Sequence, residues 1–145
     1  MTHIRQRIRD KAVNLLSNLP TTGNRCYSMR TYPTDRDKPP CLLVYTLREA
    51  SDTDSLGDDD RDLQRRIELT VEAQARGRDF DDTLDAIAAE VETVLFQNRT
   101  FDGLAIDSTL TQTALELGDG ENNRRSGVLT LTYSVLVIGP EGNPH

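Results

Sequence analysis

The last long run of the chain, from Ser126 to Ile138, alternates at a spacing of two. Leu129, Leu131, Tyr133, Val135 and Val137 fall on one face, and Val128, Thr130, Thr132, Ser134, Leu136 and Ile138 on the other. That period, filled by Val, Ile, Thr and Tyr, predicts a strand. One face is wholly apolar and the other mixed, which places the strand at or near the centre of a sheet. A second alternation runs from Leu63 to Ala75, with Leu63, Ile67, Leu69, Val71, Ala73 and Ala75 on one parity and Gln64, Arg66, Glu68, Thr70, Glu72 and Gln74 on the other. Arg65 breaks the apolar set near the strand start. One buried and one polar face predict an antiparallel strand. Cys41 to Leu47, led in by Pro39 and Pro40, is apolar on both parities and predicts an interior strand. Arg25 to Arg30, with Tyr27 and Met29 on one face, and Ala105 to Leu117, with Leu110, Ala114, Leu115 and Leu117 as its apolar residues, are the remaining strand candidates.

The helical period appears twice. Ile4, Ile8, Ala12, Leu15, Leu16 and Leu19 form an amphipathic stripe, with Thr2 as an N-cap candidate and Pro20 as the stop. Asp79, Asp81, Asp82 and Asp85 crowd the start of a second helix, where the helix dipole favours them, ahead of a stripe of Leu84, Ile87, Ala88, Val91, Val94 and Leu95. The order is α-β-β-β-α-β-β. Hairpin-like strand connections, and too few helices to cover both faces of a parallel sheet, predict an α+β fold: a mainly antiparallel β-sheet with two α-helices packed on one face. Residues 1–138 are expected to form a single domain and 139–145 a frayed C-terminal tail.

Composition narrows the function more than the fold. The net charge of −7 argues against an intrinsic nucleic-acid binder, which would carry a basic stripe. No apolar run approaches the roughly 18 to 20 residues that a membrane-spanning helix needs. The residues from Met1 to Arg9 lack the apolar segment of a signal peptide, so a cytosolic product is expected. Two cysteines, Cys26 and Cys41, are expected as buried inert thiols. The first helix presents Arg5, Arg7, Arg9 and Lys11 against this acidic balance, as a solvated face or as a docking surface for an acidic neighbour.

The most polar segment, Arg48 to Asp62, holds Asp52, Asp54, Asp58, Asp59, Asp60 and Asp62 and is expected to be an exposed, mobile hairpin tip. Three readings stand for it: a solvated tip, a segment that orders on a partner, or a metal loop. Asp52-x-Asp54-x-x-Gly57 opens like a calcium loop, but Leu56 and Leu63 fall at the fifth and twelfth positions, which require oxygen ligands. Gly118 to Arg125 is a second exposed connection, ending in Arg124 and Arg125, which serve solubility or meet an acidic partner.

Catalytic chemistry is not expected. His3 and His145 are the only histidines, so Ser-His and Cys-His pairs have no internal base. No phosphate-cradling Gly-x-x-x-x-Gly-Lys-Ser/Thr or Gly-x-Gly-x-x-Gly segment occurs. The carboxylates cluster in a loop that offers neither desolvation nor a close charged partner to tune a general acid. No enzyme activity, cofactor or metal is anticipated.

Several segments in a fixed order carry a family resemblance. A short strand ends in Arg-Thr-Tyr-Pro (Arg30 to Pro33), and Pro40-Cys41-Leu42-Leu43-Val44-Tyr45 follows. After the acidic loop come Ile67-Glu68-Leu69-Thr70-Val71-Glu72, then Leu84, Asp85 and Ile87 on a helix, then Leu129-Thr130-Leu131-Thr132-Tyr133-Ser134-Val135. From Ile4 to Ile138 this resembles the tail terminator proteins of long-tailed bacteriophages, such as the lambda-type minor tail protein U. The resemblance implies a sheet flanked by helices and a structural role in the virion. It implies a homo-hexameric ring on the head-proximal end of the tail tube, which stops tube growth and offers the surface where the head attaches. Implied partners are further copies of the chain, the tail tube protein and a head completion or connector protein, with DNA passing through the hole unbound. Arg5, Arg9, Arg30, Asp54, Asp58, Asp59, Asp60, Arg124 and Arg125 are the candidate contact residues. A closing ring is a heterologous assembly that needs two complementary patches per subunit, and the basic helix with the acidic loop would supply them. The alternatives are another head–tail joining or tail-tube component, which would polymerise without closing if it were a tube protein, or a cytosolic adaptor or enzyme with a defined pocket.

Overall fold

The computed structural model describes residues 2–28, 40–53, 61–118 and 126–145. The elements are α1 (Ile4–Leu16), β1 (Cys26–Tyr27), β2 (Cys41–Thr53), β3 (Asp62–Arg76), α2 (Phe80–Gln97), β4 (Asp107–Gly118) and β5 (Ser126–Pro140). The strands form one five-stranded sheet in the order β1-β2-β3-β5-β4. Every pairing is antiparallel except the short β1–β2 contact, where Cys26 and Tyr27 lie beside Leu42 and Leu43 in parallel. This is the α+β architecture that the alternating and helical periods predict, and β5 lies inside the sheet between β3 and β4.

Both helices cover the same face. The apolar parity of β3 (Ile67, Leu69, Val71, Ala73, Ala75) and of β5 (Leu129, Leu131, Tyr133, Val135), with Leu42 and Val44 of β2, is buried under Ile4, Ile8, Ala12 and Leu16 of α1 and Phe80, Leu84, Ile87, Ala88, Val91 and Leu95 of α2. Gly127 shows how close the layers come. A β-carbon placed there would lie 2.7 Å from the Phe80 ring and 3.0 Å from Leu84, so only glycine lets α2 begin against β5 at this point.

Boundaries differ where a local group outweighs the periodicity. His3, not Thr2, caps α1: its Nδ1 accepts a hydrogen bond from the backbone N–H of Arg5. The helix closes at Leu16 because Ser17 donates to the Val13 carbonyl and Asn18 adopts a left-handed φ of 79°, so Leu19 is buried from the following turn rather than from the helix. After α2, Phe101 is fully buried at a φ of 48°, an anchor off the helical stripe.

The largest departure concerns the polar segment from Arg48 to Asp62. Its first and last parts are strand: Arg48 pairs with Glu68, Ala50 with Arg66, and Asp52 with Gln64. The hairpin arms therefore extend into residues that composition alone assigns to a loop, because a ladder needs backbone partners, not apolar side chains. A bulge between Thr46 and Arg48 shifts the register by one residue, so Glu49 returns to the helix side opposite Ile67. There Glu49 Oε2 meets Arg65 Nη1 at 3.1 Å, with both side chains only 12% exposed. That pair explains the break in the apolar parity at Arg65. At the other end of the chain, β5 runs to Pro140, the N–H of Ile4 donates to the Pro144 carbonyl, and Glu141 is ion-paired with Arg61.

Candidate assembly surfaces

The side of the sheet where β4 lies is built unlike the rest. β4 is the last strand, so its outer row of backbone N–H and C=O groups has no strand partner among the described residues. On its helix-facing parity, Leu115 is 48% and Leu117 70% exposed, because α2 lies over β3 and β5 and leaves this end of β4 uncovered. Phe96, near the end of α2, is 68% exposed, with the Arg99 guanidinium 5.6 Å from its ring centre. Between the end of α2 and the start of β4 runs an open cleft of about 640 Å³, lined by Glu92, Phe96, Arg99, Asp107, Leu110 and Tyr133 among others, with Leu115 and Leu117 further along β4 outside its lining. The Tyr133 hydroxyl is buried at its floor without a hydrogen-bond partner among the described residues, and burial, with the nearby Glu92 charge, pushes the phenol up to about 12.

The cleft itself carries both charges, since Glu92 lines it together with the Arg99–Asp107 ion pair, and the flank of α2 that continues beyond it is acidic. Asp81, Asp85, Glu92 and Phe96 follow one another at helical spacing on the flank of α2 that faces β4, and all are exposed. None of the three carboxylates forms an ion pair among the described residues. On the opposite flank Glu90 accepts from the Thr21 backbone N–H at 2.8 Å and from its hydroxyl at 2.6 Å, locking α2 to the turn after α1.

The basic helix is less uniform than its sequence suggests. Lys11 is 3.7 Å from Asp102, just past α2, so the flank that carries Arg7 and Lys11 faces α2. Arg5 and Arg9, four residues apart, share the other flank, and Arg9 Nη1 donates to the Thr46 hydroxyl on β2 at 3.2 Å. Gln6 and Asp10 separate the two basic pairs along the exposed crest. The four cations therefore make two flanks, not one face.

The remaining candidates divide cleanly. Arg30, Asp54, Asp58, Asp59, Asp60, Arg124 and Arg125 lie outside the described residues. Cys26 and Cys41 are buried and not joined in a disulfide, and burial, then the neighbouring Cys41, raises the Cys26 thiol to about 12. Among the described residues no group of three or more His, Cys, Asp or Glu side chains is placed to hold a metal ion, and no helix is long and apolar enough to cross a membrane. On the face away from the helices Glu72 is half-buried, and desolvation raises its carboxyl above the ordinary range.

Sequence reasoning missed Phe96, Leu115 and Leu117 as surface features. Leu115 and Leu117 read only as apolar residues of a strand candidate, and nothing in the sequence says whether a helix covers them. Phe96 gave the one usable signal: it falls off the stripe of Leu84, Ile87, Ala88, Val91 and Leu95.

No protein-family model matches the chain, and no curated protein matches it. Among solved structures, a chain described as "Virion of native gene transfer agent (GTA) particle" is similar over 92% of both chains, at 14% identity and a TM-score of 0.41. A likeness of that size carries no functional argument.

Proposed function

We propose that this protein is a non-catalytic structural subunit of a phage-type virion, and specifically a tail terminator. In this reading copies of the chain close into a homo-hexameric ring on the head-proximal end of the tail tube, stop its growth and present the surface for the head. The carrying observation is the α2–β4 side, which holds a strand edge and carboxylates without partners among the described residues and three exposed large apolar side chains. A long edge strand with exposed leucines invites pairing and aggregation unless something covers it. A protein whose working state is an assembly has a use for such a surface. The ordered series of segments that resembles the terminators supplies the choice of assembly, and the α+β fold is of the type that the resemblance implies.

The test is light scattering with electron microscopy on the purified protein, followed by mixing with isolated phage tails that lack a terminator. Discrete rings of six chains, or binding confined to one tail end, support the reading. Open tubes of the protein alone would favour a tube component, and absence of both rings and tail binding would overturn it.

A further inference from the structure

The two helices carry opposite charge on flanks that point away from each other. Within residues 80–97, α2 holds Asp81, Asp82, Asp85, Glu90 and Glu92 and no cation; within residues 4–16, α1 holds Arg5, Arg7, Arg9 and Lys11 against Asp10 alone. No ion pair joins the two helices among the described residues. α1 packs over β1 and β2, whereas α2 packs over β3, β5 and β4. The Arg5–Arg9 flank therefore lies towards the β1 end of the sheet, and the Asp81–Asp85–Glu92 flank towards the β4 end.

We infer that the α2–β4 surface is covered by a second copy of this chain, docked by the Arg5–Arg9 flank of its α1. The inference rests on the ring reading above and names its contact. Opposite ends of one layer bring unlike charges together when copies stand side by side in the same orientation, and like charges when they face each other across a two-fold axis. The contact is thus heterologous, and repeated around a closing rotation it gives a ring. Arginine stems can pack on exposed apolar groups such as Leu115 and Leu117 while their guanidinium groups pair with carboxylates of the α2 flank such as Asp85 and Glu92. Val13, partly buried and next to Arg9 on that flank, adds apolar surface. The acidic partner for the basic helix is accordingly α2 of the neighbour rather than the hairpin tip.

The test uses the whole chain with one end altered at a time. Arg5→Glu/Arg9→Glu removes the basic flank; Asp85→Arg/Glu92→Arg reverses the acidic one; Leu117→Asp removes the apolar strip without touching α2. All these positions are exposed except Arg9, which is half-buried, and circular dichroism with thermal melting confirms folding; should Arg9→Glu disturb β2 through Thr46, Arg5→Glu alone serves. At low salt the wild type is expected to associate beyond two chains, each variant to remain a single chain, and an equimolar mixture of the Arg5→Glu/Arg9→Glu and Leu117→Asp chains to stop at two. Combining Arg5→Glu/Arg9→Glu with Asp85→Arg/Glu92→Arg in one chain should restore association, and raising the salt should weaken it in the wild type.

The inference fails if the wild type stays a single chain at its highest soluble concentration in low salt, if any variant associates like the wild type, or if the mixture forms no pairs. Capture on isolated tails is read separately. Tail capping by chains whose association ignores these substitutions overturns the contact and leaves the terminator reading standing. The expected pattern without any tail binding does the reverse.

Discussion

Leu129 and Leu115 are the same residue, on the same face of the same sheet, paired directly across β5 and β4. Leu129 is 5% exposed and Leu115 48%. Two positions further on the contrast inverts the usual order of size: Gly127 is buried under Phe80 while its partner Leu117 is 70% exposed. Hydrophobicity alone does not separate the two strands at these pairs, although polar Ser108 and Thr113 interrupt the same face of β4 elsewhere. The strands differ in what lies above them, since α2 runs over β5 and stops short of covering β4. Burial belongs to the packing of layers, and hydrophobicity at a spacing of two records only that a face is apolar.

The largest expected effect tests that contrast directly. Leu129→Ala should destabilise the protein by about 3 kcal/mol, the middle of the range for a leucine truncated in a core, and Leu115→Ala by under about 1 kcal/mol. Urea denaturation measures both. Equal losses would mean that something covers β4 in the free protein.

A charged version of the comparison ranks next. Arg65 and Glu49 are each 12% exposed and share a 3.1 Å ion pair, whereas Arg61 and Glu141, at 2.7 Å, are 48% and 41% exposed. Arg65→Ala leaves the largely buried Glu49 charge without its cation, with Oε1 already lacking a partner among the described residues and Oε2 keeping only the Ser51 hydroxyl at 3.3 Å, and should cost about 3 kcal/mol. Arg61→Ala should cost under about 1 kcal/mol despite its shorter bond, because solvent screens the pair and its side chains lose entropy to form it. Similar losses for the two would show that distance outweighs burial here.

These contrasts mark how far the sequence could be read. The strand and helix periods of β3, β5, α1 and α2 are visible because each has one face buried along most of its length. The end of β2 was hidden, since Arg48 to Thr53 pair through backbone groups that carry no compositional signature. Arg65 stood out as an anomaly in the pattern, but its partner Glu49 could not be named, because the bulge after Thr46 sets the parity and nothing in the residues announces a bulge. The basic character of α1 was legible and its division into two flanks followed once the neighbours of Lys11 and Arg9 were known. The α2–β4 cleft was not legible at all: it is a gap in coverage, and it arises from where α2 lies relative to an edge strand.

Gly127→Ala sharpens the same comparison at smaller cost. The added methyl would press on Phe80 and Leu84, and over-packing of this kind costs about 2 kcal/mol. Shortening the ring's reach with Phe80→Leu in the same chain should recover part of the loss, as a double-mutant cycle in urea would measure. Simple additivity of the two changes would place the strain elsewhere.

The smallest effect falls at the cleft floor, where core and surface meet. The Tyr133 hydroxyl is buried without a partner among the described residues, so Tyr133→Phe removes a desolvated polar group and leaves the ring packed; stability near neutral pH should be unchanged or raised by up to about 1 kcal/mol. The variant also has a pH signature. Burial raises the Tyr133 phenol from 10 to about 12 and the Cys26 thiol from 9.0 to about 12, so both groups hold their protons more tightly in the folded chain than in the unfolded one. Stability from this source is fully present below pH 9 and is lost as the pH rises from about 9 to about 12, because the unfolded chain ionises first. In Tyr133→Phe the loss above pH 10 should become shallower, and adding Cys26→Ala should remove the part that begins near pH 9. A profile left unchanged by Tyr133→Phe would mean that the hydroxyl reaches solvent through the cleft and belongs with the exposed side of the comparison.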